Sequence, residues 1–187
     1  MRILLCVTAG VALAATSAAV LAFKEGPLPN MTGGFGDQTC RLCHFDDDLN
    51  APGGSLTLDG VPATYTPGRR YEITVRIARA EIVRGGFEIA ARFASGPQAG
   101  RQGGTWHIDA PRLQTVTSQT DPSLVFVQHT TAGTDASTPG SVTWTFAWTA
   151  PVSDAPVQFN VAANAANDDA SPLGDFIYVS EKTARPQ

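Results

Sequence analysis

From Ser55 onward, apolar residues recur at every second position in short runs broken by Gly, Pro, Asn and Asp. Tyr71, Ile73, Val75 and Ile77 form one such run. Phe87, Ile89, Ala91 and Phe93 form another, and Val142, Trp144, Phe146 and Trp148 a third. A period of two turns alternate side chains to one face, which suits a half-buried strand and no helix. Leu56 and Leu58, Thr105 to Ile108, Leu124 to Val127, Val157 with Phe159 and Val161, and Phe176 to Val179 complete a set of about eight strands. No helical stretch alternates with them. The expectation is therefore an all-β antiparallel sandwich, with Trp144, Phe146 and Trp148 in its core. The 18 Gly and 13 Pro among 187 residues supply the turns.

Ahead of the strands lies Cys40-Arg41-Leu42-Cys43-His44. This Cys-x-x-Cys-His spacing is the attachment signature of c-type haem. Two thiols three residues apart can form thioethers with one porphyrin, and the following imidazole then lies under the ring as an iron ligand. The same residues admit two other readings. A close thiol pair in an exported chain can form a local Cys40–Cys43 disulfide. A metal site is the other, although structural zinc wants four ligands and no second Cys pair exists. A thioredoxin-like centre would need a βαβ context that this sequence lacks.

Residues 1–22 read as an export signal. Arg2 gives the positive start, Ile3 to Ala22 carries no charge, and Val20-Leu21-Ala22 allows cleavage before Phe23. Retained, the same stretch would be a membrane anchor. Cleavage removes Cys6 and leaves only the two motif cysteines. The domain expectation is a leader at 1–22, a loop-rich haem-attachment segment at 23–54, the sandwich at 55–180 and a polar tail at 181–187. A net charge of −4 gives no nucleic-acid footprint.

The candidates for a sixth iron ligand are Met31, His107 and His129, with His107 preferred; an open iron position is the remaining option. Each candidate has an ordinary structural reading as a loop or strand residue. Asp46 to Asp48 read as a solvated loop, with a partner-docking patch near the haem edge or a Ca²⁺ site as the alternative, and Asp168, Asp169 and Asp175 carry the same two readings. No nucleophile elbow, phosphate loop or HExxH helix supports hydrolase or transferase chemistry.

The order of several short motifs resembles the reeler (reelin-type) family. They are Thr66-Pro67-Gly68-Arg69-Arg70-Tyr71, Gly85-Gly86-Phe87-Glu88-Ile89, Gln128-His129-Thr130, Trp144 to Pro151, Ala162 to Asp168, and Gly174-Asp175-Phe176-Ile177-Tyr178. The chain is most similar to bacterial choice-of-anchor V members, in which a Thr-Gly-x-x-Gly-x-x-Thr-Cys-x-x-Cys-His segment precedes the sandwich, as Thr32 to His44 does here. The resemblance implies a β-sandwich and secretion. It also implies a structural role for the His129-Thr130 step. Some members end in a C-terminal anchor, from which this chain departs.

Taken together, the expectation is a periplasmic or extracellular monohaem c-type protein for one-electron transfer with a redox partner. Haem c would be joined to Cys40 and Cys43, with His44 as proximal ligand. The alternative is a haem-free reeler-type binding module clipped by a Cys40–Cys43 disulfide. Catalysis, of a ligand-binding or peroxidase-like kind, would require the open iron position.

Overall fold

A computed structural model describes residues 23–136, 138–169 and 171–187. The export leader expected at 1–22 lies outside the described residues. Ten strands follow one another: β1 Gly54–Asp59, β2 Thr64–Tyr65, β3 Arg70–Arg79, β4 Arg84–Phe93, β5 Thr105–His107, β6 Leu113–Thr117, β7 Val125–His129, β8 Ser141–Thr149, β9 Val157–Ala166 and β10 Phe176–Pro186. They form a four-stranded sheet of order β1-β3-β8-β5 and a six-stranded sheet of order β2-β10-β9-β4-β7-β6. All pairings are antiparallel except the short β2–β10 contact.

The inward residues are those the alternation named. Ile73, Val75 and Ile77 of β3 face Phe87, Ile89 and Ala91 of β4 and Phe159, Val161 and Ala163 of β9 in one core. Trp144, Phe146 and Trp148 are buried in it. Trp148 meets Phe159 edge-on at 4.8 Å between ring centroids, and its indole N–H donates to the Gly103 carbonyl at 2.8 Å. A buried indole needs such a partner, so the Gly103 carbonyl fixes the ring as well as satisfying it.

Two features depart from the sequence expectation. Residues 181–187 are not a polar tail. β10 continues to Pro186, Ala184 is fully buried, and Arg185 and Pro186 pair with β2. A two-residue parallel partner leaves no periodic trace in sequence. The second departure is β6, Leu113–Thr117, a strand that no alternating run in the sequence marks. Its Leu113 joins the main core, while Val116 packs on a separate cluster of Ala90, Leu124 and Phe126 on the outer side of the sheet. Apolar residues on both faces erase the alternation.

The outer face of the six-stranded sheet is not left to water. Glu88 and Arg92 of β4, Gln128 of β7 and Asn160 and Asn164 of β9 are buried there. Contacts with the N-terminal segment run across them: Met31 to Glu88, Pro27 to Gln128, Asp37 to Arg92 and Gly34 to Asn160. Gly34 shows how tightly. A Cβ at this position would lie 2.1 Å from Cγ of Asn160. Gly34→Ala should therefore lower stability by about 1–3 kcal/mol, the usual cost of overpacking. Urea unfolding measures it, and an unchanged midpoint would mean that the segment is not seated on β9.

Candidate haem-attachment site

Thr32 and Thr39 form an isolated antiparallel bridge, with Gly33 N–H donating to the Gln38 carbonyl at 2.8 Å. Asp37, inside this loop, accepts from the Thr32 hydroxyl at 2.7 Å and from the Asn30 amide at 3.0 Å, and pairs with the buried Arg92 guanidinium. The loop is thereby pinned to β4 immediately before the Cys motif. Thr39 then caps a 3-10 turn over Cys40–Leu42, its hydroxyl accepting from Arg41 N–H. The His44 N–H reaches the Cys40 carbonyl at 3.0 Å, a full helical turn. Positions i, i+3 and i+4 of such a turn share one side. Cys40, Cys43 and His44 accordingly line one cleft.

Across the cleft from the motif are Phe23, Pro27, Leu28 and Met31 of the N-terminal segment, and Gly86 and Phe87 of β4 with His129 of β7. A partly open cavity of about 120 Å³ continues here into a wider groove. That is smaller than the ~300 Å³ of a small-molecule pocket. The cavity alone would therefore not take up a whole porphyrin. Phe23, Leu28, Leu42 and Phe45 are all substantially exposed on or next to this cleft. Four large apolar side chains left open together are what a flat apolar group would cover.

The chemistry of the donors fits such a group. His44 Nδ1 lies 2.7 Å from Oδ2 of the buried Asp175. The N–H direction is off the line between them, so this is a close polar contact rather than a linear hydrogen bond. A carboxylate oxygen this close favours the neutral tautomer protonated on Nδ1, in which Nε2 keeps its lone pair, over the one that would set two lone pairs against each other. Burial pushes the Cys40 thiol up to about 12, with the Glu88 carboxylate adding to the effect. Cys40 is a neutral thiol and not the exposed low-pKa thiolate of a dithiol redox centre. Cys40 and Cys43 are both unbridged. Among the described residues, no three His, Cys, Asp or Glu side chains are grouped as ligands for one metal ion.

The three sixth-ligand candidates separate. His107, the preferred one, is not at the cleft. It lies on β5 in the opposite sheet, with Nε2 2.8 Å from the Thr149 hydroxyl. Sequence could not show this, because only the strand order assigns β5 to the other sheet. His129 does line the cleft, but its Nδ1 accepts the Phe87 N–H at 3.0 Å. Burial lowers its pKa, against backbone hydrogen bonds to Phe87 and Phe23, and keeps the ring neutral. The neutral ring then carries its proton on Nε2 and has no free lone pair. Met31 lines the same cleft with an uncommitted thioether, and is largely buried.

Two buried acids here had no distinguishing signal in sequence. Asp175 read as a solvated loop residue, yet it is buried behind His44. Asp168 stays on the surface and pairs with Lys24 and Arg84. Glu88 looked like the polar member of an alternating strand. It is fully buried, accepts Met31 N–H at 2.6 Å and is hydrogen-bonded by Gln128. Desolvation raises it from 4.5 to about 7, against those two hydrogen bonds. A folded-state pKa above the unfolded one means that its stabilising share is complete below about pH 4.5 and is lost as pH rises through 7. The stability of the wild type relative to Glu88→Gln should fall by about 3 kcal/mol over that window and level off above it. Urea titrations of both proteins from pH 4.5 to 8 test this; parallel curves would show that Glu88 does not titrate there.

No family model matches this sequence, and no curated protein does. Several solved structures are similar to it. The human F-spondin reeler domain is 21% identical, with 75% of this chain and 93% of that one covered and a TM-score of 0.47. The Reelin-N domain of F-spondin is also 21% identical, covering 79% and 95%, with a TM-score of 0.47. A cohesin module of a Clostridium perfringens family 33 glycoside hydrolase is 14% identical, covering 73% and 98%, again at 0.47. The functional reading rests on this chain's own residues.

Proposed function

We propose that the chain is an exported c-type haem protein for one-electron transfer, in which a β-sandwich carries the haem at one side. The observation behind this reading is the convergence of Cys40, Cys43 and His44 on one largely apolar cleft, with His44 Nδ1 2.7 Å from the Asp175 carboxylate. Bound there, haem supplies an Fe(III)/Fe(II) couple. The protein residues have separate tasks. Cys40 and Cys43 would hold the porphyrin covalently, and His44 would bind the iron. Met31 would offer its sulfur as a further ligand; His129 supports the cleft wall through its bond to β4. Phe23, Leu28 and Leu42 would shield the group from water. Electron transfer needs only a small, weakly held interface with a partner protein.

The test is the visible spectrum of the full chain made in a host with c-type haem maturation. A sharp reduced α-band and colour that survives acid-acetone extraction are expected. A colourless product, beside a control cytochrome that matures normally, overturns the reading. The second reading, a haem-free secreted binding module, is favoured by one observation: the cavity beside the motif, at about 120 Å³, is small for a porphyrin. In that case Cys40 and Cys43 would be joined in a disulfide, which thiol titration before and after reduction detects.

A further inference from the structure

Asp175 sits in the loop between β9 and β10 and is 3% exposed. Its Oδ1 accepts the Asn167 N–H at 3.2 Å and its Oδ2 accepts the Asn164 amide at 3.3 Å. These contacts fix the carboxylate behind the motif turn. The cations nearest on this flank are engaged elsewhere, since Arg84 and Lys24 both pair with Asp168. His44 is the one basic side chain paired with Asp175 among the described residues. We propose that Asp175 is a positioning residue that holds His44 as an Nε2 donor and, by drawing on its Nδ1 proton, makes it a more electron-rich iron ligand. A ligand histidine whose other nitrogen faces a carboxylate is a stronger base than one facing a neutral acceptor. A stronger donor favours the oxidised iron, so the site is tuned to a lower reduction potential. The inference rests on the haem reading above.

Two measurements test it. In the haem-bearing protein, Asp175→Asn should shift the midpoint potential upward at unchanged haem content, and Asp175→Glu should restore most of the difference. In the wild-type full chain prepared without haem, nitrogen NMR of His44 should show the Nδ1-protonated tautomer. The second measurement does not depend on whether the Asn variant folds. A red protein whose potential is the same with Asp or Asn at 175 overturns the inference and leaves the haem reading standing. The Nε2-protonated tautomer at His44 likewise overturns it. A colourless wild type removes the haem reading and this role for Asp175 together.

Discussion

Arg92→Ala should lower the stability of this protein by about 3–5 kcal/mol, the cost of stranding one partner of a buried ion pair. Arg92 and Asp37 are 5% and 6% exposed in their side chains. The guanidinium also lies between two aromatic rings, 5.4 Å from the centroid of Phe35 and 5.5 Å from that of Phe126. Removing it leaves the Asp37 carboxylate under the loop with the Thr32 hydroxyl and the Asn30 amide as its donors among the described residues. Asp37→Ala should cost a comparable amount for the opposite reason, an unpaired cation. Replacing both by apolar residues, as in Arg92→Met with Asp37→Leu, should recover a large part of the loss. Urea unfolding of these proteins measures the losses and the recovery, and adding Arg92→Ala with Asp37→Ala closes the cycle that gives the coupling. If Arg92→Ala costs under 1 kcal/mol, the pair does not anchor the loop. The consequence reaches the site, because this loop presents Thr39 and hence Cys40 to the cleft. Arg92→Ala should therefore also lower the yield of covalently attached haem.

Cys40→Ala combined with Cys43→Ala should abolish covalent haem attachment altogether. Each single variant keeps one thiol and can form one thioether, so it should retain haem through denaturation with an altered α-band. The double variant can hold the group only by contact and by His44, and acid-acetone should then remove all of it. His44→Ala should behave differently: colour stays covalent, while the loss of the proximal nitrogen changes the spin state. This separation of attachment from ligation follows from the one-turn geometry, in which both thiols and the imidazole share a side but act on different atoms. Covalent haem surviving in the double variant would contradict the assignment, and mass spectrometry of the extracted chain reads it directly.

Much of the architecture was legible because a period of two reports burial without knowledge of the partner strand. Ile73, Val75, Ile77, Phe87, Ile89, Trp144, Phe146 and Trp148 all face the core as that rule requires. It failed where burial was two-sided or pairing very short. β6 carries apolar residues on both faces, and β2 offers only Thr64 and Tyr65 to the end of β10. Within the site, the spacing of Cys40, Cys43 and His44 is a local property and was readable. Which distant residues surround them was not. His107 and His129 are equally polar interruptions of apolar strands, and only the sheet order sends one to the far sheet and the other to the cleft.

The sequence by itself determined a sandwich of alternating strands and a single turn able to present two thiols and an imidazole together, because both depend on spacings along the chain. Only the tertiary structure decided that residues 23–44 cover the outer sheet, that Asp175 stands behind His44, and that Glu88 and Arg92 are buried. Those contacts join residues 55 to 131 positions apart, and no local periodicity encodes them.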